Sequence, residues 1–405
     1  MKKAGIIILW QLAALVAWPL CGLQAQAFCN GSGCSQLPVS TGELNSFLAS
    51  IKFQYADVLA SDMAKATVAA NLLGIPQGSV SLQETVTLGA DLALGYEEKR
   101  NMTIFSSLGS FTGIDSAGYG ASPKFFGGAN LGRLVNWSDR ATVANASSDK
   151  WNALQRFDVY LYYLHQTFTD GSDPEIDAGR AFYLDQQSLI NNPSAALDTH
   201  VKFDLVKGLK FSDSKKMDLG TNGFFVRYRW LDGGNAFAWG GIRTLDVSAG
   251  IGLYRSVSRL EIIQATSDLS LTAANGSQIT WSSFGLANYN VKIASVPIEI
   301  AGGLQWLGFI NTTLGAGAAW NEGHLSLAYL RAGNAYLTNG NPFALLGATP
   351  NATLGALVSA EQNVSRYAIY LKPALEFDFP YFKFGFEGMV TRQAEGLSFY
   401  LRTEF

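Results

Sequence analysis

The chain has 405 residues, of which 15% are charged and 12% aromatic, and its formal net charge is −3. A balance this close to neutral, with no basic block to follow a phosphate backbone, argues against a nucleic-acid partner. No run after residue 27 approaches the roughly 18 apolar residues of a membrane-spanning helix. The apolar residues must therefore follow another pattern.

The first 27 residues have the layout of a removable secretory signal. Two lysines precede an apolar stretch from Ile6 to Ala17, and Ala25-Gln26-Ala27 supplies small residues for a signal peptidase. The apolar core is shorter than the roughly 20 residues of a spanning helix. We therefore expect export and cleavage after Ala27. A lipoprotein signal with Cys21 as the modified residue is the alternative.

Two cysteines remain after this segment, Cys29 and Cys34, in a Gly-rich stretch. In an oxidising compartment such close thiols are expected to pair and close a small loop. A redox or metal pair is the alternative, but a metal needs more ligands, and the three histidines are widely scattered. The sequence predicts a structural disulfide, with no metal and no cofactor.

Residues 35 to 75 form the one segment with helical periodicity. Thr41 is suited to cap a helix start, and Glu43 follows in the first turn. Gly74 and Pro76 end the pattern. The segment is predicted to be a plug, a lid or a periplasmic helix, or a small helical pack without a role in transport. Its apolar residues recur at spacings of three and four: Leu44, Phe47, Leu48, Ile51, Tyr55, Val58 and Leu59.

From about residue 85 the periodicity changes to two, which is typical of strands with one apolar and one polar face. In a membrane barrel the apolar face points to lipid and the polar face lines the interior. The charges on these polar faces have mixed signs, which favours ion pairs filling a narrow lumen over a charged eyelet that selects a solute. The predicted lumen-facing residues are Lys202, Asp204, Arg227, Arg229, Lys372, Glu376 and Asp378.

The length of the strands favours a membrane barrel over a soluble β-protein. Alternation is unbroken over the 11 residues from Ile369 to Phe379, the length that a tilted strand needs to cross a bilayer. Pro373 lies within this strand and removes one ladder hydrogen bond, so we expect a bulge there. Aromatic residues near strand ends, such as Trp230, Trp306 and Trp320, suit the headgroup region.

The last strand carries Phe399, Leu401 and Phe405 on one face. This pattern resembles the C-terminal signal by which bacterial outer-membrane barrels are recognised by their assembly machinery. The resemblance implies a bacterial outer-membrane location, with membrane lipid and that machinery as partners. It also places Phe405 on the periplasmic side, which makes Phe379-Pro380-Tyr381 a periplasmic turn.

Three long irregular stretches are then expected outside the strands: residues 97 to 150, 167 to 198 and 332 to 365, the last one extracellular. The fold predicted is all-β, a transmembrane antiparallel β-barrel of roughly 12 strands, with a range of 10 to 14. Its predicted parts are a signal peptide at 1–27, a Cys loop with a helical segment at 28–80 and a barrel at 81–405.

Two narrower resemblances concern function. The run from Val296 to Leu307 and the run from Gly315 to Gly323 resemble segments of spirochaete surface proteins, notably leptospiral surface-adhesin families. A helical segment before a mid-size barrel is also similar to FadL-like transporters of hydrophobic substrates.

The sequence has no Gly-x-Ser-x-Gly, no His-Glu-x-x-His and no phosphate-binding Gly-x-x-x-x-Gly-Lys-Ser/Thr motif. We therefore expect no enzymatic activity. The first predicted function is a porin- or transporter-like channel for small or hydrophobic solutes. Two alternatives stay open: a surface adhesin that binds host or matrix proteins through long loops, and a soluble or peripherally anchored periplasmic β-protein.

Overall fold

A computed structural model describes residues 25–30, 34–35, 40–74, 85–106, 109–139, 153–170, 214–237, 241–272, 278–339 and 352–405. Three α-helices are present in this part of the chain. They are α1 (Thr41–Ile51), α2 (Asp57–Leu72) and α3 (Leu131–Asp139), and a short π-helix, Lys52–Ala56, joins α1 to α2. None of the described helices is long and apolar enough to cross a bilayer.

Fourteen strands form one antiparallel sheet. The first five are β1 (Ala25–Asn30), β2 (Val86–Ser106), β3 (Gly109–Asn130), β4 (Phe157–Asp170) and β5 (Ser214–Leu231). Two short strands, β6 (Asn235–Phe237) and β7 (Ile242–Thr244), precede three long ones, β8 (Val247–Thr272), β9 (Gln278–Trp306) and β10 (Ile310–Asn339). The last four are β11 (Ala352–Asn363), β12 (Tyr367–Asp378), β13 (Lys383–Thr391) and β14 (Glu395–Glu404).

Ten of these strands close into a ring. β14 pairs with β2 through ten consecutive residue pairs, from Glu395 with Tyr96 to Glu404 with Thr87. On the other side, β9 and β12 both pair with β10. The ring runs through β2, β3, β4, β5, β8, β9, β10, β12, β13 and β14. The predicted antiparallel barrel is therefore confirmed, and the ring has ten strands.

The outer face of the ring carries an apolar belt, as the alternation predicts. Along β14, Leu397, Phe399 and Leu401 are 47–55% exposed, whereas Ser398, Tyr400 and Arg402 between them are buried. Large apolar side chains on the outside of a closed barrel face lipid. The same belt continues around the wall through Leu92, Phe125, Leu161, Ile251, Ile298, Leu314 and Leu371.

Exposed aromatic side chains mark two levels on this wall. The lower girdle includes Trp306, Phe309 and Tyr381. The upper girdle includes two pairs in ring contact, Trp320 with Tyr367 and Tyr96 with Tyr119. Trp320 is ten positions along β10 from Ile310, and Tyr96 is ten positions along β2 from Val86. That separation matches the roughly 9–11 residues of a membrane-crossing strand.

Several strands continue far above the upper girdle. β8, β9 and β10 have 26, 29 and 30 residues, and at about 3.3 Å per residue β10 is roughly 100 Å long. β11 continues β12 beside β10 in the same register, since Trp320 pairs with Tyr367 and His324 with Asn363. Strands of this length are much longer than a bilayer is thick, so part of the sheet lies outside the bilayer.

The structure corrects the predicted loops. Residues 97 to 130 belong to β2 and β3 apart from the undescribed positions 107–108, and α3 follows. Most of 332–365 is likewise strand, in β10 and β11. The stretch 167–198 lies outside the described residues from 171 onward. These stretches are Gly-rich, and part of their outer face contacts water and need not be apolar. The alternation of apolar and polar residues that identifies strands is therefore lost, although the backbone pairing continues.

Pro373 causes no bulge. On one side it pairs with Leu314 in an unbroken register. On the other side the β12–β13 pairs stop after Leu371–Val390 and resume in the same register at Ala374–Glu387. The missing N–H therefore interrupts the ladder locally without inserting a residue.

The N-terminal segment lies at the upper end. β1 pairs with β11 from Ala25–Val358 to Asn30–Thr353, and a disulfide joins Cys29 to Cys34. Cleavage after Ala27 stays a prediction, and it would remove half of β1. Helix α1 is capped by Ser40 rather than Thr41. The Ser40 Oγ accepts from the Glu43 backbone N–H while the Glu43 carboxylate accepts from the Ser40 N–H, which also lowers the pKa of Glu43.

Candidate functional site

Helix α2 lies inside the upper part of the lumen. Half of its buried residues are alanine, including Ala60, Ala64 and Ala69, and Val68 and Leu72 are buried with them. They form one apolar cluster with inward-facing residues of six different strands, among them Ala93, Val291, Leu325, Ala360, Tyr370 and Met389. A ten-stranded ring leaves little room inside, which explains why a helix within it is built from small residues.

The wall approaches the helix most closely where it has glycines. A Cβ at Gly95 on β2 would overlap the carbonyl oxygen of Ala66, and one at Gly118 on β3 would overlap that of Asp62. Gly120 lies in the same way against the backbone of Thr67. These three glycines form a seat for α2 in which backbone lies directly on backbone.

A cluster of charges joins α2 to the wall above the glycine seat. Lys65 Nζ lies 3.2 Å from the Asp62 carboxylate and 3.3 Å from that of Glu97. Arg100 lies 2.8 Å from Glu97, and the Ser116 hydroxyl donates to Asp62 at 3.2 Å. Asp62 is 1% exposed. The helix is thus fixed in rotation and height by partners on both β2 and β3.

The lower end of α2 meets a buried lysine. Lys124 on β3 donates to the carbonyl oxygen of Leu73 and lies 3.2 Å from the carboxylate of Asp91. A cation beside the last carbonyls of a helix interacts favourably with the helix dipole. Gly74 then packs against the ring of Tyr254, so the helix ends inside the membrane-spanning part of the barrel.

Below the helix the lumen is filled by ion pairs. Lys372 lies 2.8 Å from Glu299 and 3.5 Å from Glu387. Arg402 lies 2.8 Å from Glu376 and 3.3 Å from Glu404. Buried aromatic residues from four further strands complete this ion-pair layer, namely Phe126, Tyr160, Tyr162, Phe225 and Tyr254. Together, α2 and the ion-pair layer obstruct the barrel axis at membrane level.

The predicted lumen residues within the described chain all lie on the inner face. Lys372 and Glu376 are fully buried in the ion-pair layer, and Asp378 pairs with Lys383 at 3.2 Å. Arg227 is buried over the ring of Tyr160, and Arg229 pairs with Asp246 at 3.2 Å. Lys202 and Asp204 lie outside the described residues. The assembly-signal residues Phe399, Leu401 and Phe405 face outward and are 47–65% exposed.

Sequence reasoning missed the partners of these residues. Asp91, Lys124, Glu299 and Glu387 are buried in the lumen, each flanked along its strand by outward-facing residues. The signal that could have identified them is a charged residue at an inward-facing position of a strand whose outward-facing positions are apolar. Among the described residues no group of three or more His, Cys, Asp or Glu side chains is placed to hold a metal ion.

The wall has a gap between β3 and β4. These two strands pair only over Phe125–Asn130 and Tyr163–Asp158, at the lower end. From Lys124 upward β3 has no strand partner on that side, and β4 continues upward paired with β5 alone. Thr221 of β5 donates instead to the free Pro123 carbonyl at 2.8 Å. The gap opens below the upper girdle, so it faces the upper half of the membrane.

A cavity of about 670 Å³ occupies this gap. On the lumen side it is lined by Met63 of α2 and by inward residues of β5, β8 and β9, including Met217, Leu219, Leu260 and Tyr289. On the outer side it reaches lipid-facing residues, including Leu92, Leu94, Tyr119 and Ala121. The cavity therefore connects the space beside α2 with the surface that contacts lipid, and its lining is almost entirely apolar.

Several solved structures have a similar course of the chain. The transport unit of the autotransporter AIDA-I from Escherichia coli is 9% identical, with 87% of this chain and 99% of that chain covered and a TM-score of 0.25. The toluene transporter TbuX from Ralstonia pickettii is 8% identical, with 83% and 94% covered and a TM-score of 0.23. A FadL homologue from Pseudomonas aeruginosa is 9% identical, with 86% and 97% covered and a TM-score of 0.23. At these TM-scores the likeness carries no argument about function.

No curated protein matches the chain. A family model described as Lsa36-like does match, over residues 22–188 and 196–404. This agrees with the resemblance to leptospiral surface-protein families noted in the sequence. Since the match takes in most of the chain, the protein belongs to the Lsa36-like family.

Proposed function

We propose that the barrel transfers a small apolar solute sideways, between the lumen beside α2 and the membrane. The observation that carries this proposal is the cavity in the β3–β4 gap, which has lining residues on both faces of the wall. The axis offers no equivalent route, because α2 and the ion-pair layer occupy it. Transfer through an apolar lining also avoids moving the solute past buried charges, which favour polar or charged solutes.

The lining sets the chemistry of the solute. Met63, Met217, Leu219 and Leu260 bring flexible and branched apolar side chains to the lumen side. Pockets of about 300–1,000 Å³ accept molecules of drug size or smaller. A solute held here loses water from its whole apolar surface, which stabilises it by about 25 cal/mol for each Å² removed from water. Small uncharged hydrophobic molecules fit these conditions, and ions and sugars do not.

The test is uptake of an uncharged fluorescent apolar probe by cells that carry the protein. The substitution Leu219→Trp fills the lumen side of the cavity, and we expect it to slow uptake severalfold. Leu314→Trp is the matched control, because Leu314 faces lipid on β10, on a different part of the ring. Equal uptake by the two variants, both shown to be folded, would overturn the proposal.

The sheet above the upper girdle favours a second function, adhesion to a host or matrix protein. β8, β9, β10 and β11 extend there as one continuous sheet, and residues 340–351 connect two of its strands. If this sheet binds a partner, protease cleavage between β10 and β11 on intact cells abolishes binding while probe uptake continues. Binding that survives this cleavage would count against adhesion through that connection. The exposed apolar belt argues against the third alternative, a soluble or peripherally anchored periplasmic β-protein, because a protein surrounded by water rarely exposes so large an apolar surface.

A further inference from the structure

The segment before α2 lies above the membrane level of the barrel. β1 pairs with Thr353–Val358 of β11, which in turn pair with Tyr329–Asn334 of β10. Tyr329 is 19 positions along β10 from Ile310, and the upper girdle residue Trp320 is only ten. β1 is therefore nine or more strand positions above the girdle, outside the bilayer.

The segment after α2 returns to the opposite side. Thr85 donates its backbone N–H to the carbonyl oxygen of Phe405 at 2.8 Å, and β2 begins at Val86 beside it. Both residues lie at the lower girdle. Between β1 and β2, α2 enters the barrel from above and ends at Gly74 inside it, and Thr85 lies at the lower end, so described parts of the chain lie on both sides of the membrane level before the first membrane-spanning strand.

The two ends of the barrel differ in height, which orients it. At the lower end, β9 and β10 are joined by the three residues Leu307–Phe309, and β12 and β13 by residues 379–382. At the upper end β10 extends 19 residues beyond Trp320. Outer-membrane barrels have short periplasmic turns and tall extracellular parts. The upper end is then the outer surface.

We propose that the barrel displays its own N-terminal segment on the outer surface of the membrane, with α2 as the stalk that rises from the lumen. β1 pairs with β11, and three of these pairs, from Phe28–Gly355 to Asn30–Thr353, remain when the chain is cleaved after Ala27. Cys29 and Leu44 pack against a buried cluster of Trp281, Ala335 and Leu354. Gln54 exchanges two hydrogen bonds of 2.8 Å with the backbone of Phe105. The remaining part of β1 and α1 are therefore held against the outer part of the barrel.

Free thiols placed at the two ends test this directly. Gly42→Cys puts a thiol on the exposed side of α1, where a Cβ meets only the Ser40 Oγ at 3.9 Å, and it leaves the native disulfide intact. Ser46→Cys is a second exposed probe on the same helix. Tyr381→Cys, at a residue that is 86% exposed in the lower turn, is the matched probe for the opposite side.

The reagent is a maleimide carried on a polymer too large to pass a porin, added to intact cells and to cells with a permeabilised outer membrane. The unsubstituted protein serves as the blank and reports any labelling at Cys21. We expect both α1 probes to react on intact cells and Tyr381→Cys to react only after permeabilisation. Protection of both α1 probes until permeabilisation would overturn the proposal. The result is independent of solute transfer, since no flux is measured.

Discussion

Lys372 lies between the carboxylates of Glu299 and Glu387 in the ion-pair layer. All three side chains are buried. The attraction between buried charges repays the loss of hydration only while every charge keeps its partner. The complete layer therefore stabilises the fold, whereas loss of any one of its charges destabilises it. Its mixed signs agree with lumen packing rather than with a filter for ions of one charge.

Lys372→Met tests this vulnerability. We expect a loss of about 3–5 kcal/mol in the free energy of unfolding, because two carboxylates are left buried without their cation. The measurement is the urea midpoint of the protein folded in lipid vesicles. Lys99→Met is the control, since Lys99 pairs with Asp115 at the exposed surface, and we expect no measurable change there. Similar urea midpoints for the two variants would show that removing the buried cation does not destabilise the barrel.

The sequences of α2 and of the strands around it are matched to each other. The glycines at 95, 118 and 120 leave room for backbone contact, and the alanines of the helix fit the narrow lumen. A helix of this composition gains little from its own amphipathic character, so its position comes from the wall. The charge cluster of Asp62, Lys65, Glu97 and Arg100 then fixes it at one height.

Gly95→Ala tests the seat of the helix. The new Cβ overlaps the carbonyl oxygen of Ala66, so we expect α2 to be displaced and the protein to leak small ions in planar bilayers. Gly388→Ala is the control, because there a Cβ meets its nearest atom at 3.5 Å. Deleting residues 35 to 75 should increase the leak further. Unchanged conductance after the deletion would show that α2 does not act as a plug.

Strands with unbroken alternation at membrane level were predictable from the sequence, whereas β3 and the strands above the upper girdle were not. β12 to β14 show the full alternation because lipid lies on one face and the lumen on the other. The stretch around Gly113, Gly118 and Gly120 resembles a loop in sequence, yet it belongs to β3, and two of these glycines meet α2. The seat could not be predicted because it depends on which residues a distant helix brings to the wall.

For the whole molecule, the closed ring predicts resistance to detergent. Every strand of the ring has partners on both sides for at least part of its length, and opening it requires breaking a complete ladder. We expect the unheated protein to migrate faster than the boiled protein on a denaturing gel, since the barrel stays compact until heated. Identical migration would contradict a barrel that is closed in detergent.

The seam between β14 and β2 has a consequence for the order of assembly. Its ten residue pairs close the ring around α2, and the helix contacts backbone of β2 and β3 too closely to slide past them. A helix that arrived after closure would have to reopen a ladder, so α2 must be inside before β2 and β14 meet. The barrel is then completed around its own N-terminal helix, and a chain that closes early leaves that helix stranded outside.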